Sequence, residues 1–164
     1  MKTLFFTALL ALSFVGVKEA SAQTMLSQPS GYASLLIGYA KPNGYDNRLG
    51  YGTEIGLKMT NGVNGFGYYL ASTATERGAQ ADATHYGVGA DYAFEGLAGL
   101  RAGGRLGMVN RTGLSSAFSV GPHIAWDYMI APNLSLGVEP ILLFDTGTNS
   151  GTSLYVFGTG RFWF

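Results

Sequence analysis

Eight stretches of the chain alternate large apolar residues with small or polar ones at period two: 31–40, 50–59, 65–74, 84–94, 98–109, 117–128, 134–144 and 153–164. That period places successive side chains on opposite faces of a strand. The stretches also have the length of a tilted membrane-crossing strand, roughly 9–11 residues. Between them the connections run long and short in turn, at 41–49, 60–64, 75–83, 95–97, 110–116, 129–133 and 145–152. Long loops at one end and tight turns at the other predict an all-β fold. The expected architecture is an eight-stranded antiparallel up-and-down transmembrane β-barrel with both chain ends on the short-turn side.

The charges decide which face is which. Within the eight stretches they are Glu54, Lys58, Asp91, Arg101, Arg105, Asp127, Glu139 and Arg161, and each takes the phase opposite the large apolar residues. The other charges of residues 23–164, Arg111 and Asp145 among them, are expected in connections. A cation on a barrel's outer wall at the bilayer midplane costs about 2–4 kcal/mol, so the charged phase must face the lumen. A soluble sandwich would bury its Leu, Val and Ile instead, and eight charges with many glycines make a poor soluble core. The outward phase is graded. Tyr92, Phe94, Tyr128, Phe66, Tyr68, Phe162 and Phe164 are expected near the turn side, and Tyr39, Tyr51, Tyr86, Phe118 and Phe144 near the loop side. Leu35, Ile37, Ile55, Leu70, Val88, Val120, Ile124 and Leu136 fall between them, giving two aromatic girdles around an aliphatic band.

Glycine supplies 25 of 164 residues and recurs inside the periodic stretches, which argues against helices because each interior Gly costs roughly 1 kcal/mol relative to Ala. At the N-terminus, Lys2 precedes an uncharged run from Leu4 to Val17 and the small residues of Ala20-Ser21-Ala22. This is the pattern of an export signal, so residues 1–22 are read as a signal peptide and 23–164 as one barrel domain. Without Lys2, Lys18 and Glu19 the chain holds 8 basic and 9 acidic residues. That balance offers no basic stripe for nucleic acid. The absence of cysteine excludes disulfides and thiolate-bound metal, and no cofactor is expected.

The run from Asp127 to Glu139 (Asp-Tyr-Met-Ile-Ala-Pro-Asn-Leu-Ser-Leu-Gly-Val-Glu), the eight alternating stretches, the export signal and the terminal Phe164 together resemble the small eight-stranded outer-membrane barrels, such as the membrane domain of outer membrane protein A. The resemblance covers essentially the whole of 23–164. It implies an integral outer-membrane protein with periplasmic termini. Its partners would be outer-membrane lipids and the barrel assembly machinery, read through the terminal aromatics Phe162 and Phe164, and the barrel would be a monomer. The family usually places Gly five residues before the final aromatic, whereas here Gly158 and Gly160 straddle Thr159. The resemblance also implies that lumen ion pairs act as a plug or gate, with Glu54, Lys58, Arg101, Arg105 and Glu139 as the matching residues.

An eight-stranded barrel has an interior just wide enough for side chains to fill, which excludes a wide pore. The lumen network is expected to comprise Glu54, Lys58, Asp91, Arg101, Arg105, His123, Asp127, Glu139 and Arg161, with inward glycines, Gly67 among them, making room for it. The expected role is structural, in membrane integrity, and the alternative is a narrow gated channel. A lipid-modifying enzyme is disfavoured: the only histidines, His85 and His123, take the inward phase, and no Gly-x-Ser-x-Gly elbow occurs. Adhesion is disfavoured by short polar loops with little area for a specific interface.

Two finer expectations concern pairing. A three-residue turn at 95–97 sets Asp91 opposite Arg101, and a five-residue connection at 129–133 sets His123 opposite Glu139 and Pro122 opposite Pro140. Proline donates no ladder hydrogen bond, so disruption is expected where the two proline strands meet their outer neighbours.

Overall fold

The computed structural model describes residues 31–164 apart from 60–61, 77–78 and 148–149. The signal peptide expected at 1–22 lies outside the described residues. Eight strands form the barrel: β1 (Gly31–Lys41), β2 (Arg48–Lys58), β3 (Val63–Ser72), β4 (Ala83–Ala93), β5 (Leu100–Arg111), β6 (Ala117–Ala131), β7 (Leu134–Asp145) and β8 (Gly151–Trp163), while Thr75–Glu76 and Ala79–Gln80 pair with each other in the connection between β3 and β4. Each pairs antiparallel with its chain neighbours, and β1 pairs with β8 to close the barrel. The closing seam runs from Tyr32 opposite Trp163 to Lys41 opposite Leu154. At its end the Gly31 N–H donates to the Phe164 carbonyl at 2.9 Å and the Phe164 N–H to Gly31 at 3.0 Å. Closure removes the free edge that a barrel in hydrocarbon could not leave unpaired.

The wall is turned inside out relative to a soluble barrel. Leu35 is 73% exposed, and Ile37, Ile55, Val88, Val120, Ile124 and Leu136 also lie on the outer face. The girdle residues Tyr39, Tyr51, Tyr86, Tyr92, Phe94, Phe118, Tyr128, Phe144, Phe162 and Phe164 point outward as well. The interior buries Glu54, Asp91, Arg101, Arg105, Asp127, Glu139 and Arg161. Such a distribution suits a hydrocarbon surround and a polar lumen.

One strand takes the opposite phase to the expected one. In β3, Phe66, Tyr68 and Leu70 are buried in the lumen rather than lining the wall, while Gly67 and Tyr69 face outward. The neighbours explain it. Gly89 in β4 and Gly107 in β5 leave space that the two rings occupy: a Cβ at Gly89 would fall on the Phe66 ring, and one at Gly107 would meet the Tyr68 hydroxyl at 2.7 Å. Asn64 and Ser72, on the same face of β3, are buried too. Replacing Gly107 by valine is expected to destabilise the barrel by about 1–3 kcal/mol, because the new side chain also overlaps the Tyr86 carbonyl; urea unfolding in detergent micelles measures it.

Both expected registers are off by two residues. Asp91 faces Gly103, and Arg101 faces Ala93. The connection after β4 is longer than three residues because Gly96 and Gly99 adopt left-handed backbone (φ 85° and 80°), stringing consecutive turns between Phe94 and Leu100. His123 faces Ile141, since β6 and β7 are joined through Pro132-Asn133 with a bulge between Met129 and Ala131. Pro122 and Pro140 are therefore not opposite one another. The β6–β7 ladder pairs Val120 with Phe144, His123 with Ile141 and Trp126 with Val138, and breaks between these points. The outer neighbours continue unbroken, with Gly104 opposite Pro122 and Val156 opposite Pro140. Even-numbered residues of β6 bond toward β7, as the Thr146 N–H to Phe118 carbonyl bond of 2.8 Å shows. Both missing proline donors thus fall on the seam between the two proline strands, not on the outer seams.

Candidate functional site

The lumen is filled in three storeys, which the inward residues of single strands give in order. β7 presents Glu139, then Ile141 and Leu143, then Asp145. β8 presents Arg161 and Thr159, then Phe157 and Tyr155, then Ser153. A charged storey near the turn end and a polar storey near the loop end therefore enclose an apolar one.

The turn-side storey is a connected ion network. Arg105 Nη2 donates to Glu54 Oε1 and to Glu139 Oε1. Arg161 Nη2 reaches the other oxygen of each, Glu54 Oε2 at 3.2 Å and Glu139 Oε2 at 3.5 Å. Two carboxylates and two guanidiniums thereby close a ring. Arg101 joins Asp91 through Nη1 and Asp127 Oδ2 through Nε at 3.1 Å, and Arg161 Nη1 also donates to Asp127. Asp91 and Arg101 meet diagonally, so the ion pair forms although the residues are not directly opposite. Asn64 Nδ2 donates to Asp91 Oδ1 at 2.7 Å, and His123 Nε2 lies 3.5 Å from Asp91 Oδ2 and 3.8 Å from Glu139 Oε1. Lys58 lies half-exposed at the end of β2, in the row of Asn64 and Asp91.

Aromatic rings complete this storey. The Arg105 guanidinium lies 5.0 Å from the Phe66 ring centre and 4.9 Å from that of Tyr68. Arg161 sits 4.7 Å from the Tyr32 ring, with Trp163 5.7 Å away. Ring faces attract guanidiniums, and more strongly when both are out of water. The reversed phase of β3 is thus part of the site.

Above it, Leu36, Leu70, Val109, Ile141, Leu143 and Phe157 are each 2% exposed or less. The loop-side storey follows, and it was not expected. Asp145 accepts from Arg111 Nη2 and from Ser153 Oγ at 2.7 Å, and its Oδ1 lies 3.0 Å from His85 Nε2. Tyr155 OH lies 2.8 Å from His85 Nδ1. Arg111 and Asp145 are buried strand residues, not loop residues, because β5 and β7 run further than the apolar alternation alone suggests. Parity held the signal: Arg111 shares the phase of Arg101 and Arg105, and Asp145 that of Glu139. Ser153 bonds Asp145 and Tyr155 bonds His85, so serine, histidine and aspartate come together here without a serine-to-histidine proton relay.

The loops are tied across this end. Asn43 N–H donates to Ser153 Oγ at 2.9 Å, Tyr45 OH to the Thr112 carbonyl at 3.2 Å, and Arg48 Nη1 to the Ala81 carbonyl. Asp82 and Thr112 exchange two bonds, of 2.9 Å and 3.0 Å.

The sequence matches no family model and no curated protein. Solved structures are similar in fold. Neisserial surface protein A gives a TM-score of 0.66 at 16% identity, covering 82% of this chain and 96% of that one. Ail, the attachment invasion locus protein of Yersinia pestis, gives 0.56 at 16% identity over 82% of this chain and 100% of its own. The N-terminal β-barrel domain of Pseudomonas aeruginosa OprF gives 0.51 at 17% identity over 84% and 100%. With its closed ring of eight antiparallel strands, the chain has the fold of the small eight-stranded outer-membrane β-barrels.

Proposed function

We propose that the protein is an integral outer-membrane barrel with a sealed lumen and a structural role in the integrity of the membrane. The observation that carries this reading is the storey of Leu36, Leu70, Val109, Ile141, Leu143 and Phe157, each 2% exposed or less, packed between the two charged ones. Ions cross hydrophobic constrictions only when these wet, and here the constriction is packed with side chains rather than open. The apolar outer wall and the fold it shares with outer-membrane barrels support the location. Gly31 and Phe164 pair at the end of the barrel that carries the connections 59–62, 94–99 and 132–133, which by the building rule of such barrels is the periplasmic side. Phe162 and Phe164 point outward at that end, where the assembly machinery would meet them.

The cross-tied loops favour a structural role over a recruiting one, since mobile loops are what an adhesive surface needs to adapt to a partner. Reconstituted in planar bilayers, the protein is expected to show no unitary current steps. Discrete steps in the unaltered protein, lost on replacing Leu143 by tryptophan, would instead establish the narrow channel.

A further inference from the structure

The strands hold two kinds of glycine. A Cβ at the inward Gly103, Gly107 or Gly121 would fall 2.0, 2.1 or 1.8 Å from a neighbouring backbone oxygen, so packing inside the protein demands the bare residue. The outward Gly104 is different, since the nearest atom to a Cβ there is the Gly121 carbonyl oxygen at 3.8 Å. A glycine inside a strand commonly marks a bulge, a tight bend or a place that another molecule approaches closely. Gly104 pairs in continuous register with Ala90 on one side and Pro122 on the other, so no bulge accounts for it.

The row of Ala90, Gly104 and Pro122 is the floor of an apolar groove of about 720 Å³ in the outer wall. Its loop-side bank is the next outward row, Val88, Leu106, Val120 and Phe144, paired in that order across β4, β5, β6 and β7. On the turn side Tyr92 and Ile124 stand to either side of Ala102. Arg105, the charged residue along the groove, turns its guanidinium into the lumen. The groove reaches the loop-side girdle at Phe144. Two residues further on, Thr146 bonds the Phe118 carbonyl through its N–H at 2.8 Å and its Oγ1 at 3.0 Å. Phe118 and Thr146 line a second pocket, polar and of about 270 Å³, together with Arg111, Ser115 and Ser116.

On the reading of the wall as lipid-facing, we propose that the groove seats one acyl chain of a lipid from the loop-side leaflet, with the headgroup of that lipid at the polar pocket beside Phe118. The volume falls within the range of small-molecule sites, roughly 300–1,000 Å³. The lining side chains offer no outward hydrogen-bonding group, and a hydrocarbon chain needs none. A second copy of the barrel is too broad. Three strands about 4.8 Å apart, bounded two residues away on either side, enclose a floor on the order of 100 Å². A stable protein interface takes roughly 800 Å² per partner, and the outward curve of the wall carries a second barrel away on both sides. Barrel strands tilt by about 35–45°, so a row across them is inclined, and a chain descending from the loop side can follow it. The polar pocket fixes the leaflet, because it borders the same strands, β5, β6 and β7, at their loop ends.

The test is photolabelling of the whole barrel in phosphatidylethanolamine–phosphatidylglycerol vesicles, doped with a phosphatidylethanolamine that carries a diazirine midway along one acyl chain. Labelled residues are read by mass spectrometry. Val88, Ala90, Leu106 and Val120 are expected to take several-fold more label than Leu35 and Ile37, which lie on the outer face of β1. Gly104→Leu, whose Cβ stands in open space, should bring the groove down to the level of the β1 wall. Gly160→Leu should leave the excess in place, because a Cβ there also stands clear, 3.9 Å from Leu136, but outside the groove. A second probe with the diazirine on the headgroup should label 115–118 and 146–147 above the turns at 94–99. Even labelling of the wall, or an excess that survives in Gly104→Leu, overturns the seat, and the pattern in the unaltered protein decides even where that variant fails to insert. Headgroup label centred on 94–99 overturns the leaflet. Absence of label from the whole wall, Leu35 and Ile37 included, sinks the lipid-facing wall and the seat with it. The chain has no cysteine, so Gly104→Cys carries a single thiol. Its oxidation to a dimer in dilute vesicles, where Gly160→Cys stays monomeric, would put a second copy in the groove and overturn the proposal.

Discussion

Arg105→Met is expected to destabilise the barrel by about 3–5 kcal/mol, the usual result of removing one partner from a buried ion network. Arg105 is 1% exposed and bridges Glu54 to Glu139, so its loss leaves two carboxylates side by side with the more distant Arg161 as the remaining guanidinium bonded to both. Methionine keeps most of the volume between the Phe66 and Tyr68 rings, which confines the change to charge. Adding Glu54→Gln and Glu139→Gln to Arg105→Met should recover most of the loss, since a neutral cluster no longer needs the cation. Urea midpoints of the single and triple variants read both effects. A single variant within about 1 kcal/mol of the original protein would mean that the ring is hydrated and loosely held.

Leu35→Lys is expected to cost about 2–4 kcal/mol, with the folded yield in lipid vesicles falling accordingly. Leu35 is 73% exposed. On a water-facing surface the same exchange would change stability by no more than about 0.5 kcal/mol. The sign and size of this variant therefore separate a wall in hydrocarbon from a wall in water. The comparison of vesicles with denaturant-free micelles locates the cost in the lipid.

The strand count, the closure and the direction of most side chains were legible in the sequence because period two and a phase of charges agree wherever a strand carries a charge. β3 carries none between Val63 and Ser72, so its aromatics on both faces, Phe66 and Tyr68 against Tyr69, left two phases open on apolarity alone. Asn64 and Ser72 would have pointed to the right one. The turn-side cluster was legible as a set of inward charges, whereas its partners were not. Pairing depends on connections whose length is set by backbone conformation, such as the left-handed Gly96 and Gly99, and a two-residue error there changes every opposite neighbour. Arg111 and Asp145 were missed for a related reason: strands extend past the last large apolar residue when a lumen bond holds them.

The broken ladder between β6 and β7 gives the ring of strands one compliant joint. A cylinder of hydrogen-bonded strands resists flattening because each seam opposes shear, and a seam that lacks the donors of Pro122 and Pro140 opposes it less. Lateral pressure from the surrounding acyl chains is not uniform around a protein. The cross-section would yield by becoming an ellipse, with its tightest curvature at this seam and its flatter sides carried by the unbroken ladders. The arginine ring below the apolar storey spans β2, β5, β7 and β8, so such an ellipse would strain the bridge that Arg105 makes between Glu54 and Glu139. Bilayer thickness and tension would then reach the lumen charges through the shape of the wall.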